Sequence, residues 1–197
     1  MIVHTVSLTV DLGESGYLIG FTDDYDYPAE MPYGWRCGPA ADASAVVLTT
    51  TDTGPLNLTV EIHDTPPDNA PSGGWEAAEE LSLHVDLPTL HLATLEQGDI
   101  VDAWPDDEPP VRLPVTRDSG AWARMRLYCY ANDPEPGIGD HGERHLLQLW
   151  PAPPAPPIHP EISDADRQAR SAYVTARATL VDEYTSTYTI TLSGHRE

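Results

Sequence analysis

The segment LNLTVEIH (residues 56–63) decides the fold, because apolar and polar residues alternate along it without a break. Leucine, valine and isoleucine fill one set of positions, and asparagine, threonine, glutamate and histidine fill the other. Side chains of a β-strand point to its two faces in turn, so the pattern predicts a strand with one buried and one solvated face. The β-branched segment 43–51 precedes it, and Thr53-Gly54-Pro55 between the two predicts a hairpin or meander.

The same alternation recurs on both sides of this segment. Near the N-terminus it predicts one apolar strand face, formed by Ile2, Val6, Leu8, Val10 and Leu12. The apolar run at 16–21 is expected to pair back onto that strand. Further strands are predicted at 81–85, 90–95, 111–115, 121–130 and 145–150. Seven to nine short strands separated by turn residues predict a mainly β protein with the architecture of an antiparallel β-sandwich.

The sequence changes character at PAPPAPPIHP (residues 151–160), where the prolines predict an extended strap. We therefore expect a β-sandwich domain at 1–150, the Pro-rich strap, and a C-terminal helix and strand extension at 161–197 that packs on the same domain. Ser163, followed by acidic residues, is typical of a helix N-cap and predicts one short C-terminal helix. Residues 172–181 fit a helix and a strand equally.

The chain carries 32 Asp and Glu against 10 Lys and Arg, a formal net charge of −22, and all ten basic residues are arginines. So acidic a chain does not bind nucleic acid by neutralising phosphates, and it is not attracted to an anionic membrane. Without lysine it has no Walker-type phosphate loop and no Schiff-base chemistry. A GC-rich gene accounts for the missing lysine but not for the threefold excess of acids. A basic protein partner fits this charge, and the oligomeric state is left open.

The N-terminal residues lack the basic start of a secretion signal, and no apolar stretch is long enough to span a membrane. Cys37 and Cys129 lie far apart in the sequence. In a chain without a secretion signal, reduced and partly buried thiols fit these cysteines better than a disulfide. We therefore expect a cytoplasmic protein.

The motif HGERH (residues 141–145) has two histidines four residues apart, the spacing with which one helix face holds zinc. Its glycine and the glycines and prolines before it argue against a helix, so a loop leading into a strand is predicted. The acidic segments at 23–26, 106–108 and 133–140 lack the ligand spacing of a calcium loop, and solvated loop acids are expected. No nucleophile motif occurs. We expect no metal and no cofactor; the sequence leaves enzyme activity open and favours a non-catalytic protein.

Two surface features and one acidic loop are the candidates for partner binding. The outward side chains of the strand at 121–130 form an aromatic and arginine stripe of the kind enriched in binding hot spots. Pairing with neighbouring acids or packing on a second sheet is the alternative for this stripe. The tyrosine-rich tract 23–35 predicts an adaptable binding loop, or a loop packed over the core. The candidate residues are Trp122, Arg124, Arg126, Tyr128, Tyr25, Tyr27, Tyr33, Trp35, Asp106, Asp107 and Glu108.

Several segments between residues 75 and 157 together carry a family resemblance. They are Trp75, ELSL (80–83), LP (113–114), GAWARMRL (120–127) and ERHLLQLWP (143–151). In this combination the chain resembles small acidic β-sandwich proteins related to the competence-protein-J nuclease inhibitors. The resemblance implies a non-catalytic, partner-binding role such as inhibition of a nuclease. It covers under half of the chain and carries over no inhibitory residue.

Charge and resemblance together predict a binding module of the inhibitor or immunity type, which presents carboxylates to a basic partner such as a nuclease or toxin. The alternative is a carbohydrate-binding or hydrolytic β-sandwich that uses tryptophans and paired carboxylates. A concave pocket with Trp35, Trp75 or Trp122 beside two carboxylates would favour the alternative.

Overall fold

The computed structural model describes residues 1–25, 35–68, 71–76, 78–96, 98–114, 121–133 and 135–160. These residues form β-strands joined by turns and loops, without a helix among them. Accordingly, this part of the chain has no helix of the length and apolarity needed to cross a membrane. The predicted C-terminal helix and the ambiguous segment 172–181 lie outside the described residues.

Strands account for most of the regular structure, which is mainly β as predicted. They are β1 (Ile2–Leu12), β2 (Tyr17–Gly20), β3 (Cys37–Ala41), β4 (Ser44–Val47), β5 (Thr51–His63), β6 (Glu79–His84), β7 (His91–Glu96), β8 (Asp99–Asp102), β9 (Trp122–Tyr130), β10 (Gly137–Ile138) and β11 (Arg144–Pro151).

The strands form two sheets. The first sheet has the order β1-β5-β11-β9-β6, with the short β10 also paired to β5, and the second sheet has the order β3-β4-β2-β7-β8. The pairs between named strands are antiparallel, except those that β5 makes with β10 and β11. Apolar side chains from both sheets share one hydrophobic core. The prediction of a sandwich rich in antiparallel pairs is confirmed.

The segment LNLTVEIH forms most of β5, a central strand of the first sheet. Its alternate residues are buried as predicted, namely Leu56, Leu58, Val60 and Ile62. The hairpin prediction is wrong, because the preceding segment forms β4 in the second sheet, and β5 runs through Gly54 and Pro55. Gly54, with a φ of +146°, lies against the backbone of Gly139, where a Cβ would clash. The glycine therefore permits a close approach of two backbones and does not make a turn.

The predicted pairing of the run at 16–21 with β1 is also wrong, because β2 lies between β4 and β7 in the second sheet. All four residues of β2 are buried. Tyr17 and Ile19 belong to the shared core, whereas Leu18 packs in a separate cluster with Val46 and Leu95. A continuous apolar run is typical of a strand that is covered on both faces, and β2 is such a strand.

The alternation predicted for β1 holds from Val6 onward. Its core face is buried at Val6, Leu8, Val10 and Leu12. Ile2, in contrast, is 52% exposed, and the pairing with β5 shifts register between Ile2 and His4. The first residues of the strand therefore extend past the core.

Beyond β11 the Pro-rich strap runs along β6, at the edge of the first sheet. Backbone N–H groups of Ile158 and Glu80 donate to each other's carbonyls at 2.9 and 2.8 Å. The Ser82 hydroxyl donates to the carbonyl of Ala155 at 3.2 Å. Because proline has no N–H to donate, the strap is held by the few backbone groups that can pair, at Ile158, and by side chains such as Ser82. The three-part division of the chain stays a prediction.

Candidate functional site

Two buried glutamates each hold the backbone of a distant stretch of the chain through a pair of hydrogen bonds. Glu143, just before β11, is 1% exposed, and its carboxylate accepts the backbone N–H groups of Thr50 and Thr51 at 2.9 and 2.7 Å. Its Oε1 lies 3.0 Å from Nε2 of His145, whose Nδ1 is 3.0 Å from the Tyr17 hydroxyl. Burial opposes ionisation of Glu143, but His145 and the two N–H groups outweigh it and lower its pKa from 4.5 to about 2. The carboxylate thus fixes the passage from β4 to β5.

Glu79, the first residue of β6, has the same arrangement. Its Oε1 accepts the backbone N–H of Arg36 at 2.7 Å, and its Oε2 accepts that of Cys37 at 3.0 Å. Nδ1 of His159 in the strap lies 3.0 Å from Oε2, and Trp35 stacks on the His159 ring with 3.4 Å between ring centres. Glu79 therefore fixes both the start of β3 and the end of the strap. The candidate binding residue Trp35 is half-buried in this contact.

The groups around these glutamates are enclosed. Cys37 and Cys129 are free and buried, in agreement with the prediction of reduced thiols. Burial raises the pKa of both thiols, so neither is a thiolate nucleophile at neutral pH. Burial likewise raises the pKa of Tyr17. Since Tyr17 and His145 are fully buried beside Glu143, the cluster offers no face to a substrate and stabilises the fold.

In the motif HGERH, residues 141–143 form a loop that leads into β11, as predicted. Across the described ranges, no three His, Cys, Asp or Glu side chains come together in a group that could hold a metal ion. The interacting pair in the motif is Glu143 and His145, which the sequence analysis missed. A signal was present, because His145 shares the apolar register of Leu147 and Leu149. A polar residue in a buried register needs a buried partner.

The aromatic and arginine stripe of β9 is largely covered. Arg124 is 4% exposed and Tyr128 is 6% exposed. Arg124 donates to Glu80 at 3.0 Å and to the carbonyls of Ala155 and Pro156 in the strap at 2.9 Å each. The strap covers Arg124, and Trp75 meets the Tyr128 ring edge to face, so these two side chains follow the alternative of packing within the protein.

The other three stripe residues, Trp122, Arg126 and Tyr130, keep part of their exposure. Nε of Arg126 donates to Glu80 at 2.6 Å, and its guanidinium carbon is 5.1 Å from the centre of the Trp150 ring. Trp122 meets His84 edge to face, with 5.1 Å between ring centres. Both arginines of the stripe thus share one carboxylate of the neighbouring strand. Arg124 and Arg126 thus follow the alternative interpretation of the stripe, in which its side chains pair with neighbouring acids.

Only the ends of the tyrosine-rich tract 23–35 are described, and Tyr27 and Tyr33 lie outside the described residues. Tyr25 packs against the apolar cluster around Leu18 on the second sheet. Burial, together with the nearby charge of Asp102, raises the pKa of Tyr25. At this end the tract packs over an apolar face of the sheet.

The acidic loop after β8 lines an open hollow of about 260 Å³. Its lining includes three acidic residues, Asp102, Asp106 and Glu108, and two ring-bearing residues, His91 and Trp104, of which Trp104 also packs against the core. Two hydrogen bonds fix Trp104: its backbone N–H donates to Asp102 at 3.1 Å, and its indole N–H donates to the Glu108 carbonyl at 3.1 Å. Asp107 is exposed on the same loop and does not line the hollow. The hollow is an acidic concave site with an aromatic wall.

The run of acids in the sequence predicts Asp106 and Glu108 but not Asp102 and Trp104. A tryptophan inside an otherwise acidic, proline-bounded loop was the available signal for Trp104. Asp102 ends β8 and reaches the hollow only because β8 folds back on β7.

No family model and no curated protein sequence matches the chain. Two solved structures are similar to it. ComJ from Bacillus subtilis, described as an inhibitor of the DNA-degrading activity of NucA, is 13% identical with a TM-score of 0.44; the match covers 77% of this chain and 99% of ComJ. The crocagin biosynthetic gene J product is 12% identical with a TM-score of 0.39, over 75% of this chain and 97% of the other. The resemblance drawn from the sequence is confirmed as a weak one.

Proposed function

We propose that this chain is a non-catalytic protein-binding module for a basic partner, and that the hollow beside Trp104 is the main contact site. The partner class that the family resemblance suggests is a nuclease. The observation that carries the proposal is the hollow itself, whose lining brings three acidic residues and Trp104 together at the surface.

Charge supports the proposal at long range. A net charge of −22 raises the rate at which a basic protein arrives, and salt weakens this attraction because it screens exposed charges. Charge of this kind contributes to association rate and partner choice more than to final affinity. A local site is therefore needed for tight binding.

The hollow supplies that local site. An arginine or lysine side chain placed in it would meet the carboxylates of Asp102, Asp106 and Glu108, and carboxylates pair with guanidinium groups through charge-assisted hydrogen bonds. The ring of Trp104 adds a surface on which a cation is attracted. The hydrogen bond from the indole N–H to the Glu108 carbonyl holds this ring in place before the partner arrives.

The test compares two triple variants of equal charge. D102N/D106N/E108Q neutralises the hollow, and D11N/D42N/D68N neutralises three exposed acids elsewhere. Each chain is used to capture proteins from native lysate at low and high salt, and affinity for the captured protein is measured by calorimetry. We expect the hollow variant to bind at least about tenfold more weakly, and the control to keep most of its affinity.

Two results would contradict the proposal. One is that no basic protein is captured at either salt concentration. The other is that the two triple variants weaken binding equally, because net charge alone would then explain the association.

A carbohydrate-binding site is the second candidate, favoured by the position of Trp104 beside carboxylates in a concave site. Trp35, Trp75 and Trp122, the tryptophans expected for that role, do not line the hollow. Titration with soluble oligosaccharides, followed by tryptophan fluorescence, separates the two candidates. Saturable quenching that Trp104→Phe removes would support the carbohydrate site.

A further inference from the structure

Arg144 differs from several other arginines of the described chain because it has no ion-pair partner. Arg36, Arg124 and Arg126 each form an ion pair with a glutamate. Arg144, the first residue of β11, is exposed and pairs with no carboxylate of the described chain. Among the described arginines Arg112 also forms no ion pair, but Arg144 is held against aromatic rings.

Two aromatic rings lie against the Arg144 side chain. Its guanidinium carbon lies 4.2 Å from the centre of the Tyr130 ring and 5.0 Å from that of Trp75. One terminal N–H donates to the carbonyl of Gly73 at 3.2 Å. The Tyr130 hydroxyl in turn donates to Asn132 at 2.9 Å, which fixes the ring. The guanidinium therefore has a set orientation before any partner binds.

We propose that this arrangement of Trp75, Arg144 and Tyr130, here called the Arg144 stack, binds a carboxylate carried by the protein partner. A guanidinium has five N–H donors in a planar fork that matches a carboxylate, and the contact with Gly73 uses one of them. Stacking on rings keeps the plane fixed, so little side-chain freedom is lost when the carboxylate binds. Trp, Tyr and Arg are also the residues on which binding energy concentrates in interfaces.

The charge of the whole protein selects the kind of anion. A net charge of −22 repels a free polyanion, including nucleic acid. A single carboxylate on an otherwise basic protein is not repelled, because the surrounding positive charge is attracted to this chain. The partner's identity as a basic protein rests on the proposed function. Contacts of opposite sign at the Arg144 stack and the hollow would then set the orientation of the bound partner.

The first experiment does not depend on that function. Isotope-labelled protein is titrated with N-acetyl-glutamate methylamide while the Nε–Hε resonance of each arginine is followed by NMR; N-acetyl-glutamine methylamide is the neutral control ligand. We expect a saturable shift at Arg144 with the glutamate compound only. Arg112 is the control residue, since it is exposed and stacks on no described ring. No shift at Arg144, or an equal shift at Arg112, would overturn the proposal.

The second experiment adds the basic context. The amidated, acetylated peptides Lys-Lys-Glu-Lys-Lys and Lys-Lys-Gln-Lys-Lys are compared by calorimetry. We expect the glutamate peptide to bind roughly threefold more tightly to the native chain, and Arg144→Gln to remove that difference. If neither peptide binds but the NMR shift at Arg144 is present, the proposed function fails and the carboxylate site stands. If both bind equally, the carboxylate site fails.

Discussion

The outer face of the first sheet and the hollow beside β8 differ in whether their charged side chains are paired within the protein. On the first sheet, Arg124 and Arg126 share Glu80, and strap carbonyls take up further donors of Arg124. In the hollow, the carboxylates of Asp102 and Asp106 meet no arginine of the described chain. Residue type therefore nominates a surface for binding, but the chain's own contacts decide whether that surface is available.

The largest expected effect comes from Glu80→Ala, which removes the carboxylate that pairs with Arg124 and Arg126 on the outer face of the first sheet. Removing this carboxylate leaves Arg124 buried without a counter-charge and also frees Arg126. Loss of one partner of a buried pair costs about 3 kcal/mol of unfolding free energy. Urea denaturation at neutral pH measures it.

Glu108→Ala is the matched control for that variant, since its carboxylate lines the hollow and forms no ion pair with a described residue. Its expected change is below about 0.5 kcal/mol. Equal destabilisation by the two substitutions would erase the contrast between the two regions.

The next effect is on stability at acidic pH, which we expect to depend on the buried carboxylate of Glu143 and not on the acids of the hollow. The pKa of Glu143 in the folded chain, about 2, lies below its usual 4.5. Its stabilisation is therefore full above about pH 4.5 and is lost as the pH falls toward 2. Glu143→Gln is expected to lower the unfolding free energy by about 3 kcal/mol at pH 7 and by much less near pH 2.

Denaturation curves of the native chain and of Glu143→Gln across this pH range provide the measurement. A difference between the two chains that stays constant from pH 7 to pH 2 would show that the charge of Glu143 is not the cause.

The smallest expected effect sharpens the description of the hollow. Trp104→Leu removes the aromatic wall, and a cation over a tryptophan ring contributes about 1 kcal/mol. Binding of an arginine-containing peptide is therefore expected to weaken about fivefold, with Trp104→Phe between the two. Calorimetry measures the affinities, and thermal denaturation checks that each variant is folded. Unchanged affinity in Trp104→Leu would leave the carboxylates as the sole contact.

The sequence predicted which way residues face better than it predicted their neighbours. Alternation in LNLTVEIH correctly identified the buried side of β5, because facing is a local property of a strand. It did not show that β4 and β5 belong to different sheets, since pairing depends on residues far away in the chain. Only the assembled sheet reveals that β11 lies beside β5.

The candidate site follows the same division. Asp106 and Glu108 were predicted from a local run of acids. The covering of Arg124 was not, because it depends on Ala155 and Pro156 more than 30 residues later. The local sequence pattern shows which chemical groups a side chain carries. Contacts with distant residues decide whether that side chain stays accessible to a partner in the folded protein.

The hydrogen bonds of Glu143 also affect the order in which the first sheet can form during protein synthesis. The backbone groups that it holds, at Thr50 and Thr51, leave the ribosome more than 90 residues before it does. β1 can pair with β5 early, but the other edge of β5 waits for β11. An open strand edge is prone to wrong pairing while it waits. A nascent chain stalled before residue 143 is therefore expected to need protection from a chaperone, which the finished protein does not.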